Sequence, residues 1–150
     1  MLSEIPPEQG EACFIIIKPD AMERGLMGKI ISRFEETYLQ VSGMQQRRKS
    51  PAWVAAHYEH LVDAPFFQQL VDFMTARTML GFVVSGPYAC RRCRNLVGLT
   101  DSTTSPAGTI RGDYGNFPIM FNCVHASENQ DNARREWTLY YDTNLDWKDE

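Results

Sequence analysis

Cys13-Phe14-Ile15-Ile16-Ile17, followed directly by Lys18-Pro19-Asp20, is the stretch on which the fold turns. An unbroken apolar run of this length suits a buried strand, and Lys18-Pro19-Asp20 closes it. From Met27 to Tyr38, Ile30, Ile31, Phe34 and Tyr38 recur at helix spacing, so strand then helix is the first unit. Gln40 to Arg48 partly alternates, which predicts an antiparallel strand with one wet face, and Ser50-Pro51 offers an N-cap and first helical residue. Two short helices follow, Trp53 to Leu61 and Phe66 to Ala76, divided by Asp63-Ala64-Pro65 with the proline at a helix start. Met79 to Val84 reads as a third strand, and after Gly86-Pro87 a helix runs from Tyr88 to Val97 with Arg91, Arg92 and Arg94 on it.

The segment from Gly98 to Pro118 loses this patterning and is too long for an idle connection, so we read it as functional. Ile119 to Val124 predicts the last strand. Ser127, with Gln130 three residues on, has the form of a capping box opening a helix through Trp137 to Tyr140. An α+β, ferredoxin-like sandwich accommodates this order best: a four-stranded antiparallel sheet with helices packed on one side. A chain of 150 residues with 43% apolar content fits a single domain over 1–150, with 1–12 as an N-terminal arm and 142–150 as a C-terminal tail.

A net charge of -4 argues against a nucleic-acid or membrane surface held by diffuse basic charge, so any anion site must be a local cluster. Met1 to Ala12 holds three Glu, two Pro and no apolar run of signal length; we expect no targeting or spanning segment and a cytoplasmic location. Cys13, Cys90, Cys93 and Cys123 are expected as free thiols. The spacing of Cys90 and Cys93 lacks the second cysteine pair or the context that zinc or redox chemistry would need.

His125 ends an apolar stretch just before a helix start, a common place for side chains that do chemistry, although a lone histidine there is more often a packing residue. Lys18 at a strand end, Arg94 on the arginine-rich helix and Arg111 in the long loop are the cations from which a phosphate site could be made, since neither a P-loop nor GxGxxG occurs. The alternative is that each pairs with a surface carboxylate. His57 and His60 lie in a short amphipathic helix and read as surface or packing residues.

Four blocks, Phe14 to Gly28 (FIIIKPDAMERGLMG), His57 to Phe67 (HYEHLVDAPFF), Arg94 to Asp113 (RNLVGLTDSTTSPAGTIRGD) and Asn122 to Ser127 (NCVHAS), resemble the signature blocks of nucleoside diphosphate kinases, in the same order and nearly the same spacing. The resemblance implies a ping-pong enzyme that moves the γ-phosphoryl group of a nucleoside triphosphate to a nucleoside diphosphate through a phosphohistidine at His125. It implies that Glu136 bonds the ring nitrogen that does not attack, that Ser127 bonds Glu136, and that Tyr58 lies beside Lys18 or the histidine. Lys18, Arg94, Arg111 and Thr100 match phosphate contacts, Asn122 the contact to the sugar 3′-hydroxyl, and Phe66 the stacking platform for the base. Stacking accepts any base, which implies broad specificity.

Magnesium is implied as a passenger on the nucleotide phosphates without a direct protein ligand, Asp20 and Asp113 being read as structural partners of arginine or backbone groups. ATP and other nucleoside tri- and diphosphates are the implied partners, in a homo-oligomer, with no stable nucleic-acid partner and no membrane. Departures from the pattern are Ala21, Leu99, Ala126, a loop from Asp101 to Pro106 without its early proline, and Asp113 to Asn122, one residue longer with Met120-Phe121 before the asparagine. Two alternatives differ in class: a catalytically weak nucleotide-binding regulatory member of the same fold, and an RNA-binding sheet, which would need stacking aromatics on its central strands.

Overall fold

Along the chain run β1 (Glu11–Ile17), α1 (Pro19–Glu23), α2 (Met27–Glu35), β2 (Gln40–Arg47), α3 (Pro51–His57), α4 (Phe67–Met74), β3 (Met79–Gly86), α5 (Ala89–Val97), α6 (Ile110–Tyr114), β4 (Val124–Ala126) and α7 (Gln130–Tyr141). The computed structural model describes residues 10–149; residues 1–9 of the expected arm and residue 150 of the tail lie outside the described residues. The strands form one sheet in the order β2-β3-β1-β4, antiparallel at every pairing, which is the expected ferredoxin-like α+β topology.

The helices do not lie on one side, as the sequence reading expects; they cover both faces. Side chains alternate across a strand, so Cys13, Ile15 and Ile17 of β1 enter a core with Ile30 and Phe34 of α2 and Cys93 and Val97 of α5. Phe14 and Ile16 enter a second core with Trp53 and Val54 of α3, Leu70 and Met74 of α4, and Ala133 and Tyr140 of α7. With helices over both faces, the central strands offer no open platform on which bases could stack.

In the second core α7 packs closely on β3. Tyr140 is fully buried, its hydroxyl lying 2.9 Å from the Gln45 carbonyl and 3.1 Å from that of Met79. A Cβ on Gly81 would stand 2.5 Å from the Tyr140 ring. Gly81→Ala is therefore expected to destabilise the fold by about 1–3 kcal/mol, read as a lowered denaturant midpoint with unchanged slope.

Ser50 is the cap of α3 as expected, its hydroxyl accepting from the Trp53 amide at 3.3 Å, with Pro51 at the first helical position. Three other local readings are corrected. Tyr38 is not in the helix: α2 stops at Glu35, and Tyr38 is exposed with φ +64°. The last strand does not begin at Ile119. Residues 119–121 form a 3-10 turn, closed by bonds from the Phe121 amide to the Pro118 carbonyl and from the Asn116 amide to the Phe121 carbonyl, both 2.8 Å, so only Val124–Ala126 pairs with β1. Ser127 is not the N-cap of α7. The sheet takes it, its amide bonding the Phe14 carbonyl at 3.0 Å, and Asn129 caps the helix by accepting from the Asn132 amide at 2.9 Å.

Candidate active site

On β4, Val124 and Ala126 point into the first core, so His125 between them projects from the opposite face, toward α3 and α7. On α7, Ala133, Glu136 and Tyr140 are buried at helix spacing, and that phase turns Glu136 inward to meet the ring. His125 Nε2 lies 2.8 Å from Glu136 Oε1, while the Ser127 hydroxyl donates to the same oxygen at 2.6 Å and accepts from the Phe14 amide at 3.1 Å. Burial alone would push the Glu136 carboxyl up; the bond and charge of His125, then His57 and Ser127, outweigh it and hold the group down at about 2. A carboxylate fixed in this way selects the tautomer with the proton on Nε2, leaving the Nδ1 lone pair free.

His125 keeps 20% of its side chain exposed and lines a pocket of about 650 Å³. Lys18, Tyr58, Phe66, Arg94, Thr100, Arg111 and Asn122 line the same pocket. Ser127 and Glu136, the remaining residues singled out in the sequence, stand behind the histidine.

Lys18 precedes α1, with Pro19 as first helical residue, and its ammonium turns inward to donate to the Met120 carbonyl at 2.7 Å and to Asn122 Oδ1 at 2.9 Å. Asn122 in turn donates to the Thr100 carbonyl at 2.9 Å. Arg111 sits in α6, whose start is capped by Thr109, and donates to the Val124 carbonyl at 2.8 Å and the Gly98 carbonyl at 3.3 Å; its Nε is buried without a partner. Arg94, in the last turn of α5, is exposed and reaches the Ala126 carbonyl at 3.4 Å.

Among the described residues none of these three cations is paired with a carboxylate, as the alternative reading would require. Burial pulls the Lys18 ammonium down to about 8, Asp20 pulling back and Arg111 adding to the fall. Burial likewise pulls Arg111 down to about 10, and Arg94 adds to it. Cations held at such a disadvantage are stabilised by an arriving anion.

The two carboxylates expected to be structural are so. Asp20 accepts from the Cys123 amide at 3.0 Å, and Asp113 pairs with Arg33 at 3.0 Å and accepts from the Gly108 amide at 2.9 Å. The longer segment before Asn122 supplies the Met120 carbonyl that holds Lys18, and its exposed Phe117 and Ile119 join Phe66 in the pocket wall. Sequence reasoning missed that pair, because exposed apolar residues in an irregular segment carry no periodic signal.

His57, read as a surface or packing residue, is a packing one. This residue is 2% exposed, stacked on Trp53 with centroids 4.8 Å apart and edge-on to His125 at 4.9 Å. Burial, then the neighbouring His125, pushes its imidazole down to about 3, so it is neutral at ordinary pH. His60, read as a surface or packing residue, lines the pocket, as does Glu128.

Residues 11–145 match the family model described as nucleoside diphosphate kinase. The chain belongs to the nucleoside diphosphate kinase family. It is similar to the nucleoside diphosphate kinase of Pyrococcus furiosus, 41% identical over 133 residues that cover 87% of this chain and 83% of that protein. Among solved structures it is similar to the halophilic nucleoside diphosphate kinase of Halobacterium salinarum in complex with CDP, with TM-score 0.83, 37% identity and coverage of 93% and 94% of the two chains. A transition-state mimic of the Borrelia burgdorferi nucleoside-diphosphate kinase with bound vanadate and ADP matches with TM-score 0.82, 26% identity and coverage of 95% and 93%. The activity is that of a nucleoside diphosphate kinase, a phosphotransferase acting between nucleoside triphosphates and diphosphates.

Proposed function

We propose that this kinase carries the phosphoryl group on His125 Nδ1, between successive visits of two nucleotides to one pocket. The observation that carries the reading is the partly exposed ring: one nitrogen is held by a buried carboxylate, and the same ring faces a pocket that also holds Lys18, Arg94 and Arg111. In the first half-reaction Nδ1 attacks the γ-phosphorus. The Nδ1–P bond forms as the bond from phosphorus to the β,γ-bridging oxygen breaks, and the diphosphate leaves with that electron pair. In the second, a terminal oxygen of the other diphosphate attacks phosphorus and Nδ1 takes its lone pair back. Glu136 keeps the Nε2 proton throughout and offsets the charge on the ring. Ser127 steadies Glu136.

The transferred group spreads charge over its equatorial oxygens, so fixed donors are worth most there. Lys18, Arg94, Arg111 and the Thr100 hydroxyl are assigned to phosphate oxygens, Asn122 with Lys18 to the sugar 3′-hydroxyl, and Phe66 to the base, with Tyr58 packed against His57 on the pocket wall. The wall that Phe117 and Ile119 add is apolar and reads no base edge, in keeping with broad base and sugar tolerance.

A nucleotide-borne Mg²⁺ would neutralise phosphate charge. Glu128, a carboxylate on the pocket wall, suits contact with such a hydrated hard cation through water. The exposed edge strand β2 supports a homo-oligomer, and the free thiols of Cys13, Cys90, Cys93 and Cys123 support a reducing, cytoplasmic setting. Among the described residues no helix is long and apolar enough to cross a membrane.

Initial rates measured against donor at several fixed acceptor concentrations should give parallel double-reciprocal lines. Lines that intersect require both nucleotides on the enzyme at once and refute a phosphohistidine relay.

A further inference from the structure

Phosphoryl transfer accounts for the pocket side of His125 and for Glu136 behind it, but not for His57 beside them. One donor atom from each of His57, His125 and Glu136 lies within 4.8 Å of the other two. His57 is buried and its Nδ1 has no hydrogen-bond partner, an arrangement that packing alone does not call for. Its ring stands edge-to-face with that of His125.

We propose that His57, His125 and Glu136 form a binding site for a borderline-soft divalent cation of the Zn²⁺ class, and that its occupation shuts off phosphoryl transfer. Two imidazoles and a carboxylate are the donor set of open tetrahedral zinc sites, in which bonds of about 2.0–2.1 Å place ligand atoms roughly 3.4 Å apart. His125 Nε2 and Glu136 Oε1, at 2.8 Å, are already inside that spacing, so only His57 has to close in. The nitrogen donors discriminate against Mg²⁺, which keeps oxygen ligands and water, so the metal that travels with the nucleotide does not compete. Exposure of His125 to the pocket gives the ion a route in. Lys18, Arg94 and Arg111 on the pocket side oppose the ion by repulsion, and the charge of Glu136 favours it.

Inhibition follows from electron counting. A neutral imidazole has a single lone pair in the ring plane. A cation on His125 Nε2 takes that pair, displaces the proton and leaves it on Nδ1, so Nδ1 has nothing with which to attack phosphorus. A cation on Nδ1 blocks the attack directly. This consequence rests on His125 being the nucleophile; the site itself does not.

Titration of the nucleotide-free full chain with Co²⁺, followed by visible absorption, tests the site. One Co²⁺ per chain is expected, with the ligand-field bands of a tetrahedral nitrogen–oxygen site, displaced by Zn²⁺ and weakened at least about 10-fold in His57→Gln. The proposal is overturned if wild-type protein takes up no stoichiometric ion. Thiolate-to-metal charge transfer overturns it too, by placing the ion on cysteines, as does equal affinity in His57→Gln. For the inhibitory step, protein loaded with Zn²⁺ and freed of excess metal is given γ-labelled ATP. Labelling at least 10-fold slower than that of metal-free protein, with normal labelling of His57→Gln treated alike, supports it. Undiminished labelling of the loaded wild type overturns it. Absence of label on metal-free wild type would refute the nucleophile assignment instead, and the cobalt titration still decides the site.

Discussion

His125→Ala is expected to lower nucleotide exchange by at least about 10,000-fold, the scale on which removal of a covalent nucleophile acts. The fold should survive. His125 is only partly buried, and its backbone pairing with Ile16 does not depend on the side chain. The variant leaves Glu136 without its imidazole but still bonded to Ser127, so the carboxylate is not orphaned. Loss of activity with an unchanged unfolding midpoint therefore separates chemistry from folding, measured by ADP-to-ATP exchange beside denaturant unfolding. A rate within about 100-fold of the wild type would mean that another group carries the phosphoryl.

Lys18→Ala is the second large effect, and it acts on two properties at once. Removal of one fixed donor from a preorganised phosphate site lowers kcat by about 100–1,000-fold. The same change strips the Met120 carbonyl and Asn122 Oδ1 of their donor and removes a cation whose charge favours the ionised form of the buried Asp20. An unsatisfied buried polar group costs about 1–3 kcal/mol, so a clear fall in stability accompanies the loss of rate. Asp20 adds a sign. Burial raises its carboxyl pKa and Lys18 lowers it, so without the lysine the carboxylate protonates at higher pH than in the wild type. Because that pKa lies above the unfolded value, Asp20 contributes stability that is lost as pH rises through its folded pKa, and the loss should be larger in the variant than in the wild type. Parallel unfolding curves at pH 5 and pH 8, with kcat measured at each, check both parts; a variant with normal kcat removes Lys18 from the site.

Much of the fold was legible because it is written in local signals that tertiary structure did not override. The apolar run from Cys13 to Ile17 is a buried strand, and Ser50-Pro51 opens a helix. That run also held information left unused: a strand apolar at every position has both faces covered, which is where the expectation of one-sided helices failed.

The capping-box form at Ser127 misled because it is local. The pairing of β4 with β1 draws the serine into the sheet, where its hydroxyl serves Glu136, and Asn129 two residues on takes the cap. Ile119-Met120-Phe121 looked like a strand because composition cannot distinguish a strand from an apolar 3-10 turn. The pocket was legible through its blocks, each of which supplies residues that line it. The contact of His57 with His125 was not, since helix spacing says that a face is buried and not what it is buried against; His125 meets it from outside its local pattern.

The most direct test of the central claim is to incubate wild-type protein with γ-labelled ATP in the absence of acceptor, isolate it and map the label. One acid-labile, base-stable phosphoryl group per chain is predicted, on His125, discharged quantitatively to an added nucleoside diphosphate. Label on any other residue, or label on His125 that an acceptor does not remove, would contradict it.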